Sequence, residues 1–212
     1  MKIGIIGAGF IGRAIARLAV DQGHEVMVSN SRGPHTLTSL VASIGCLTGS
    51  AEQAAAFGEV VVVAVPLKNY REIPVAPVAG KVVLDANNYY PERDGHMPEL
   101  DNHSTTTSEL LARHLAGAKI VKAFNSIRVN DLERDGLPAG TPGRRALPIS
   151  GDDAAAKRTA TALIEQFGFD AVDAGPLAEG WRFQRGRPMY CERFDIAGLQ
   201  KALADNDEEH VI

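Results

Sequence analysis

The chain has 212 residues, of which 45% are hydrophobic, so its length suits one domain with a sizeable core and a small appendage. Its formal net charge of -4 argues against the wide basic face that neutralises a nucleic-acid backbone. Cys46 and Cys191 lie far apart without CxxC spacing, which favours reduced thiols. The longest strongly apolar run, residues 60–66, is too short to cross a bilayer. We therefore expect a cytoplasmic protein with neither a nucleic-acid nor a membrane partner.

Short apolar runs alternate along the chain with segments of helical periodicity. The predicted strands are residues 2–6, 25–29, 59–65, 81–85, 119–124 and 170–173. Two helical stripes consist of Ile11, Ile15, Leu18 and Ala19 and of Ala156, Ala160, Leu163, Ile164 and Phe167. Apolar strands that alternate with amphipathic helices predict an α/β fold of the Rossmann type, with a doubly wound, mostly parallel sheet and a small C-terminal appendage.

Local signals predict two helix starts and one long loop. Ser50 with Gln53, and Thr106 with Glu109, have the spacing of capping boxes. Residues 125–145 lack clear periodicity and are rich in Gly and Pro, so we predict a long loop there.

Three glycines, Gly7, Gly9 and Gly12, form a GxGxxG motif directly after the first strand and at the start of the first helix. In this context the glycines allow a tight turn, the approach of a pyrophosphate and close packing of helix and strand. Phe10 and Ile11 lie in the first helical turn, where free amides and the helix dipole favour phosphate. The motif predicts a dinucleotide site, the alternative being a glycine-rich turn without a ligand.

The end of the second strand determines which dinucleotide is expected. Ser29 and Asn30 are followed by Ser31 and Arg32, and none of these positions carries the carboxylate typical of NAD-selective sites. A guanidinium with a neighbouring hydroxyl can hold a 2′-phosphate by charge-assisted hydrogen bonds. The sequence therefore favours NADP (NADPH), and the alternative is that Arg32 is a solvated loop residue near Pro34.

Three motifs end successive strands: AVP at residues 64–66, DANN at 85–88 and KAFN at 122–125. Together with GIIGAGFIG, SNSRGP, ISGDD and DAGPL, they make nearly the whole chain resemble the deazaflavin-dependent NADP oxidoreductases and their short bacterial relatives. Those proteins are also similar to the cytosolic domain of membrane metalloreductases. The resemblance implies an NADP-dependent oxidoreductase that moves a hydride between NADPH and a small-molecule acceptor, which is a flavin or a deazaflavin.

The resemblance also implies where the cofactor lies. The implied positions that border it are Ala64, Val65, Pro66, Asn88, Ala123 and Phe124. We predict that Asn125 acts in catalysis, because its amide offers a donor and an acceptor that orient the carboxamide or the acceptor. The alternative is that Asn125 only caps the loop after its strand. The resemblance implies no serine, cysteine or histidine nucleophile.

The sequence is also compatible with two other functions. One alternative is an imine or carbonyl reductase, although the residues after Gly151 are too few for the large helical domain of such enzymes. Another is a non-catalytic NADPH-sensing protein. We assign residues 1–150 to an NADP-binding Rossmann domain and residues 151–212 to a small C-terminal α/β segment that completes the sheet and the acceptor crevice. Because residues 181–203 are too few to cover a crevice alone, and because of the resemblance, we expect a homodimer.

Arginines near aromatic side chains form a weaker signal. They are Arg182, Arg185 and Arg187, around Trp181 and Phe183. This mixture suits a phosphorylated, stackable acceptor, or else solvated arginines beside a buried tryptophan. Arg144 and Arg145 are expected in an exposed turn at the end of the long loop.

Histidines give no clear site. His96 and His103 lie near Glu99 and Asp101, but the spacing matches no compact metal site, and we expect no metal. Either histidine can serve as a proton donor if the acceptor needs one. His114 lies beside an apolar stripe and is expected to be structural.

Overall fold

The computed structural model describes residues 1–205, and its strands join into one sheet. The strands are β1 (Lys2–Ile6), β2 (Glu25–Ser29), β3 (Leu47–Gly49), β4 (Val60–Val63), β5 (Val82–Asp85), β6 (Lys119–Lys122), β7 (Ala146–Gly151) and β8 (Asp170–Asp173). Their order across the sheet is β3-β2-β1-β4-β5-β6-β7-β8. Every neighbouring pair is parallel except β6 with β7. The predicted Rossmann-type α/β fold is therefore confirmed.

Helices cover both faces of this sheet. They are α1 (Phe10–Asp21), α2 (Thr38–Ile44), α3 (Ala51–Phe57), α4 (Pro91–Asp94), α5 (Pro98–Asp101), α6 (Thr107–His114), α7 (Val129–Arg134), α8 (Ala154–Gln166) and α9 (Ile196–Ala204). Short 3-10 helices span Pro34–Leu37, Leu67–Glu72, Ala76–Val78 and Leu177–Phe183. No helix in residues 1–205 has the length and apolar character that a membrane span requires.

Strand β4 shows why its apolar run is continuous. Val60 and Val62 point into the core that contains α1, α2 and α8, whereas Val61 and Val63 point into the core that contains α3 and α6. All four valines are buried because side chains alternate between the two covered faces of a parallel strand. Burial of each such side chain stabilises the fold by roughly 1.5–3 kcal/mol.

The predicted helix starts are confirmed. Both side chains of the capping box are in place at Ser50 with Gln53, where α3 begins. The same arrangement joins Thr106 to Glu109 at the start of α6. Both predicted apolar stripes face the core, on α1 and α8.

The prediction of a long loop over residues 125–145 is correct except for one short helix. This segment contains α7, whose single buried side chain is Leu132. A helix of six residues with one buried position shows no periodicity, which is why the pattern was not visible in the sequence. The sequence also missed β3 and β7, because β3 has three residues and β7 contains Pro148.

The expectation that Arg144 and Arg145 lie in an exposed turn is also wrong. Both side chains are buried, and Arg144 pairs with Asp170 at 2.6 Å between Nη1 and Oδ1. Arg145 Nη1 lies 3.0 Å from Asp131 Oδ2 and 2.9 Å from Asp135 Oδ2. These carboxylates come from α7, from the residue after it and from β8, so only the folded chain brings the charges together.

The boundary predicted after residue 150 falls inside β7, and β7 and β8 extend the same sheet. The division into residues 1–150 and 151–212 stays a prediction. Residues 206–212 of the second segment lie outside the described part of the chain.

Candidate functional site

A cleft of about 300 Å³ lies beyond the carboxyl ends of β1, β2 and β4. The order of strands reverses between β1 and β4, and ligands of open α/β sheets bind at such a switch point. The cleft brings together many of the predicted site residues, namely Gly7, Gly9, Ser29, Asn30, Ser31, Arg32, Ala64, Val65 and Pro66. The glycine motif, the segment from Ser29 to Arg32 and the AVP turn therefore line one concave surface.

The three motif glycines have different surroundings. A Cβ on Gly7, whose φ is +116°, would lie 2.1 Å from the carbonyl oxygen of Ala64. A Cβ on Gly12 would lie 2.0 Å from the carbonyl oxygen of Gly7. A Cβ on Gly9 would meet no atom within 4 Å. Gly7 and Gly12 thus serve close packing, whereas Gly9 borders open space at the helix start, where a pyrophosphate fits.

The first turn of α1 suits an anion. It contains no acidic residue, and the helix is long enough for its dipole to act at this end. Phe10 and Ile11 do not line the cleft with their side chains: Phe10 is 80% exposed, and Ile11 packs against the core. Arg13, which the sequence reasoning missed, donates from Nε to the carbonyl oxygen of Ala8 at 2.7 Å. This contact holds a positive charge beside the glycine loop.

The end of β2 divides into a structural part and an exposed part. Ser29 is buried and donates from Oγ to the carbonyl oxygen of Ile5 at 3.2 Å. Asn30 donates from Nδ2 to Thr36 Oγ1 at 2.9 Å and accepts from the Arg32 amide at 3.2 Å. These bonds fix the turn that presents Ser31 and Arg32, both exposed, at the cleft. Within residues 1–205 no carboxylate pairs with the Arg32 guanidinium.

The cleft also contains residues that the sequence reasoning missed. Asn69 and Glu72 come from the 3-10 helix Leu67–Glu72, Ile73 follows it, and Ala51 begins α3. A short 3-10 helix has no amphipathic period of 3.6 residues, so no pattern indicated that this segment borders the cleft. These four residues complete the lining of the cleft.

The residues predicted near a nicotinamide do not line this cleft. Asn88, Ala123, Phe124 and Asn125 are all buried at the ends of β5 and β6. Phe124 has a φ of 61°, and its ring packs against Phe167 with 5.9 Å between centroids. The ring therefore faces the core, so that only the main chain of Phe124 can border a nicotinamide. The assignment of these four residues to the site stays a prediction.

Hydrogen bonds fix the side chain of Asn125. Its Nδ2 donates to Asn88 Oδ1 at 3.2 Å and to the carbonyl oxygen of Phe183 at 3.1 Å. Because both partners are acceptors, the nitrogen must point toward them and Oδ1 must point away. Asn125 Oδ1 is buried and has no hydrogen-bond partner among residues 1–205.

Beneath this region Lys122 is fully buried. Burial lowers the pKa of its ammonium group, while the carboxylate of Asp85 acts in the opposite direction. Lys122 thus brings a titratable group under the ends of the strands.

The arginines and aromatic side chains after β8 form a separate surface. The guanidinium groups of Arg182 and Arg187 lie 4.9 and 4.4 Å from the ring centroid of Trp181. Arg185 instead stacks on Tyr90 at 4.4 Å, and Phe183 is buried. Trp181 and Arg187 line a second cavity of about 420 Å³, outside the cleft.

His96 and His103, the two candidate proton donors, and His114 all lie outside the cleft. His96 Nδ1 lies 3.2 Å from Asp101 Oδ2 on the surface. His114 Nε2 lies 2.9 Å from the carbonyl oxygen of Ile73, which supports a structural role. His103 lines the second cavity.

Comparisons with known proteins agree with the fold. Residues 2–89 match the model of the family described as NADP oxidoreductase, coenzyme F420-dependent. The hypothetical protein SMa0349 from Sinorhizobium meliloti has a solved structure that is 33% identical, with a TM-score of 0.78 over 92% of this chain and 95% of that one. A protein from Arthrobacter sp. FB24 described as an F420-dependent NADP reductase is 27% identical, with a TM-score of 0.74 over 85% of this chain and 87% of that one.

The chain is also similar to a longer protein. Over 180 residues it is 32% identical to the metalloreductase STEAP3 of Rattus norvegicus. The matched region is 84% of this chain but only 34% of the rat protein, so the chain spans about a third of that relative.

Proposed function

Because the chain belongs to the family of coenzyme F420-dependent NADP oxidoreductases, we propose that it binds NADPH in the cleft and exchanges a hydride with a flavin- or deazaflavin-like acceptor. The open space beside Gly9 is the observation that carries the proposal. It lies at the start of α1, on the same cleft as the exposed Arg32. One end of the cleft thus fits a pyrophosphate and the other fits a 2′-phosphate.

In this proposal the residues of the chain bind NADPH and orient the reacting groups. NADPH supplies a hydride from the C4 carbon of its nicotinamide. The free amides at the start of α1 hold the pyrophosphate, and Ser31 and Arg32 hold the 2′-phosphate. Val65 and Pro66 form a wall, and Asn125 orients the carboxamide or the acceptor. Hydride transfer between planar rings needs proximity, alignment and exclusion of water, so no side chain has to act as a nucleophile.

The choice of acceptor rests on the family and on the Arthrobacter protein, which is described as F420-dependent. The cavity beside Trp181 and Arg187, which Glu109 and Glu179 also line, offers an aromatic ring and a guanidinium for a planar, anionic acceptor. Deazaflavins and flavin nucleotides both have this chemistry.

The experiment is to follow NADPH absorbance with a panel of flavins, a deazaflavin, quinones, ketones and imines. We expect oxidation of NADPH with the deazaflavin or a flavin. Turnover with ketones or imines alone would replace the proposed acceptor. Tight NADPH binding without turnover on any member of the panel would instead favour a sensor.

We further propose that the chain forms a homodimer. The segment after β8 adds one α-helix, α9, which packs on the far end of the sheet away from the cleft. A second copy can supply the cover that this segment does not provide. Light scattering at working concentration should give the mass of a dimer, and the mass of a monomer would refute the proposal.

A further inference from the structure

The side chain of Asn87 supports the wall of the cleft from behind. Its Oδ1 accepts a hydrogen bond from the main-chain amide of Val65 at 2.9 Å. Asn87 follows β5 and is buried, whereas Val65 follows β4 and lines the cleft. Because the Val65 amide needs an acceptor, the carbonyl oxygen of the Asn87 side chain must point to it. The position of the AVP turn thus depends on a residue that does not itself line the cleft.

A buried polar network holds Asn87 in turn. The main-chain amide of Asn87 donates to Asp85 Oδ1 at 3.0 Å, and its main-chain carbonyl oxygen accepts from Lys122 Nζ at 3.2 Å. The same Nζ donates to Thr107 Oγ1 at 2.8 Å, and Ser108 Oγ donates to Asp85 Oδ2 at 2.6 Å. Asp85 and Lys122 are both fully buried. The main chain of Asn87 is therefore fixed on both sides by a carboxylate and an amine.

Stability alone does not explain this arrangement. Burying an amine and a carboxylate costs several kcal/mol per ion, and apolar residues of similar volume are often as stable or more stable. A polar network specifies one geometry, since each of its groups bonds in a fixed direction. This network lies at the carboxyl ends of β5 and β6 and at the start of α6, and it reaches the cleft through Val65.

We propose that Asn87 is a positioning residue for NADPH, which fixes the Val65–Pro66 wall while Lys122 and Asp85 fix Asn87. This inference rests on the function proposed above. It predicts that NADPH binding depends on a hydrogen-bond acceptor atom in the side chain at position 87. Asn87→Ala removes that atom, and Asn87→Asp keeps it.

The test combines hydrogen exchange of the Val65 amide with the dissociation constant of NADPH. In Asn87→Ala we expect the Val65 amide to lose protection and the NADPH dissociation constant to rise about tenfold, the size of one hydrogen bond. Asn87→Asp keeps the acceptor but adds a buried carboxylate beside Asp85, so it should bind NADPH more tightly than Asn87→Ala and more weakly than wild type. The matched control is Ser126→Ala, which removes buried hydrogen bonds to Met189 and Cys191 away from the cleft. It should leave NADPH binding unchanged.

A folded Asn87→Ala variant with wild-type NADPH affinity would overturn the proposal. Should that variant not fold, the wild-type protein still provides a test, because an unprotected Val65 amide would show that Asn87 does not hold the turn. Failure of the wild-type protein to bind NADPH would count against the proposed function, while protection of Val65 is measured without the cofactor.

Discussion

Asn88 and Asn125 exchange two hydrogen bonds across the ends of β5 and β6. Asn88 Nδ2 donates to the carbonyl oxygen of Asn125 at 2.8 Å, and Asn125 Nδ2 donates to Asn88 Oδ1 at 3.2 Å. The pair ties together the strand ends of the DANN and KAFN motifs. It also holds the side chain of Asn125 in one orientation, with Oδ1 as its remaining acceptor.

The first prediction concerns this pair. Asn125→Ala should lower the rate of hydride transfer by up to about a hundredfold, because misplacement of reacting rings by about 1 Å has that effect. Stopped-flow oxidation of NADPH with a deazaflavin measures the rate. Replacement of His96, His103 or His114 should each leave most turnover intact, because direct hydride transfer needs no proton donor. His96 and His114 line neither the cleft nor the cavity beside Trp181, whereas His103 lines that cavity, so its replacement also tests acceptor binding. A histidine variant that loses turnover at unchanged NADPH affinity, with Asn125→Ala active, would indicate proton-assisted reduction instead.

The second prediction separates two glycines. Gly9→Ala should fold normally but lose NADPH binding, because its methyl group would occupy open space at the pyrophosphate position. Gly12→Ala should instead lose thermal stability, because its methyl group would lie 2.0 Å from the carbonyl oxygen of Gly7. Thermal unfolding and NADPH titration distinguish the two effects. Retained NADPH affinity in Gly9→Ala would argue against the pyrophosphate site.

The third prediction concerns cofactor choice. Arg32→Ala should raise the dissociation constant of NADPH by about tenfold to a hundredfold, as expected for a lost charge-assisted bond, and should leave that of NADH nearly unchanged. Arg158→Ala is the control, because Arg158 is exposed on α8 and does not line the cleft. It should leave the dissociation constants of both dinucleotides unchanged. Equal effects of Arg32→Ala on both dinucleotides would show that Arg32 does not contact a 2′-phosphate.

The fourth prediction follows from the buried amine. Burial lowers the pKa of Lys122 in the folded state below its ordinary value of 10.5. At pH values between the folded-state pKa and 10.5, the folded state therefore binds fewer protons than the unfolded state. Wild-type stability relative to Lys122→Met should therefore increase as the pH rises toward about 10.5. Urea unfolding of both proteins at several alkaline pH values measures the difference. A difference that stays constant or decreases would mean that the amine is not penalised by burial.

The glycine motif and the end of β2 were predictable because their signals are local. Gly7, Gly9 and Gly12 lie within six residues, and the order strand, glycines, helix fixes their meaning. Ser31 and Arg32 follow directly from the end of β2. The structure brings these two segments to one cleft, as expected for neighbouring parallel strands.

Other parts of the site depend on contacts between distant residues. The bond from Val65 to Asn87 joins positions 22 residues apart, and no spacing rule predicts it. The burial of Arg145 depends on Asp131 and Asp135, whose helix was itself too short to detect. Phe124 has a positive φ and its ring packs in the core, and its sequence indicates neither.

The most direct test of hydride transfer from NADPH to the acceptor is the fate of deuterium carried at C4 of NADPH. NADPH labelled separately on each face of the nicotinamide would be oxidised by the protein with a deazaflavin acceptor, and the reduced acceptor would be examined by mass spectrometry. We expect the label from one face to move directly to the acceptor, because the cleft orients the ring in one way. Absence of NADPH oxidation, or label lost to water from both faces, would contradict it.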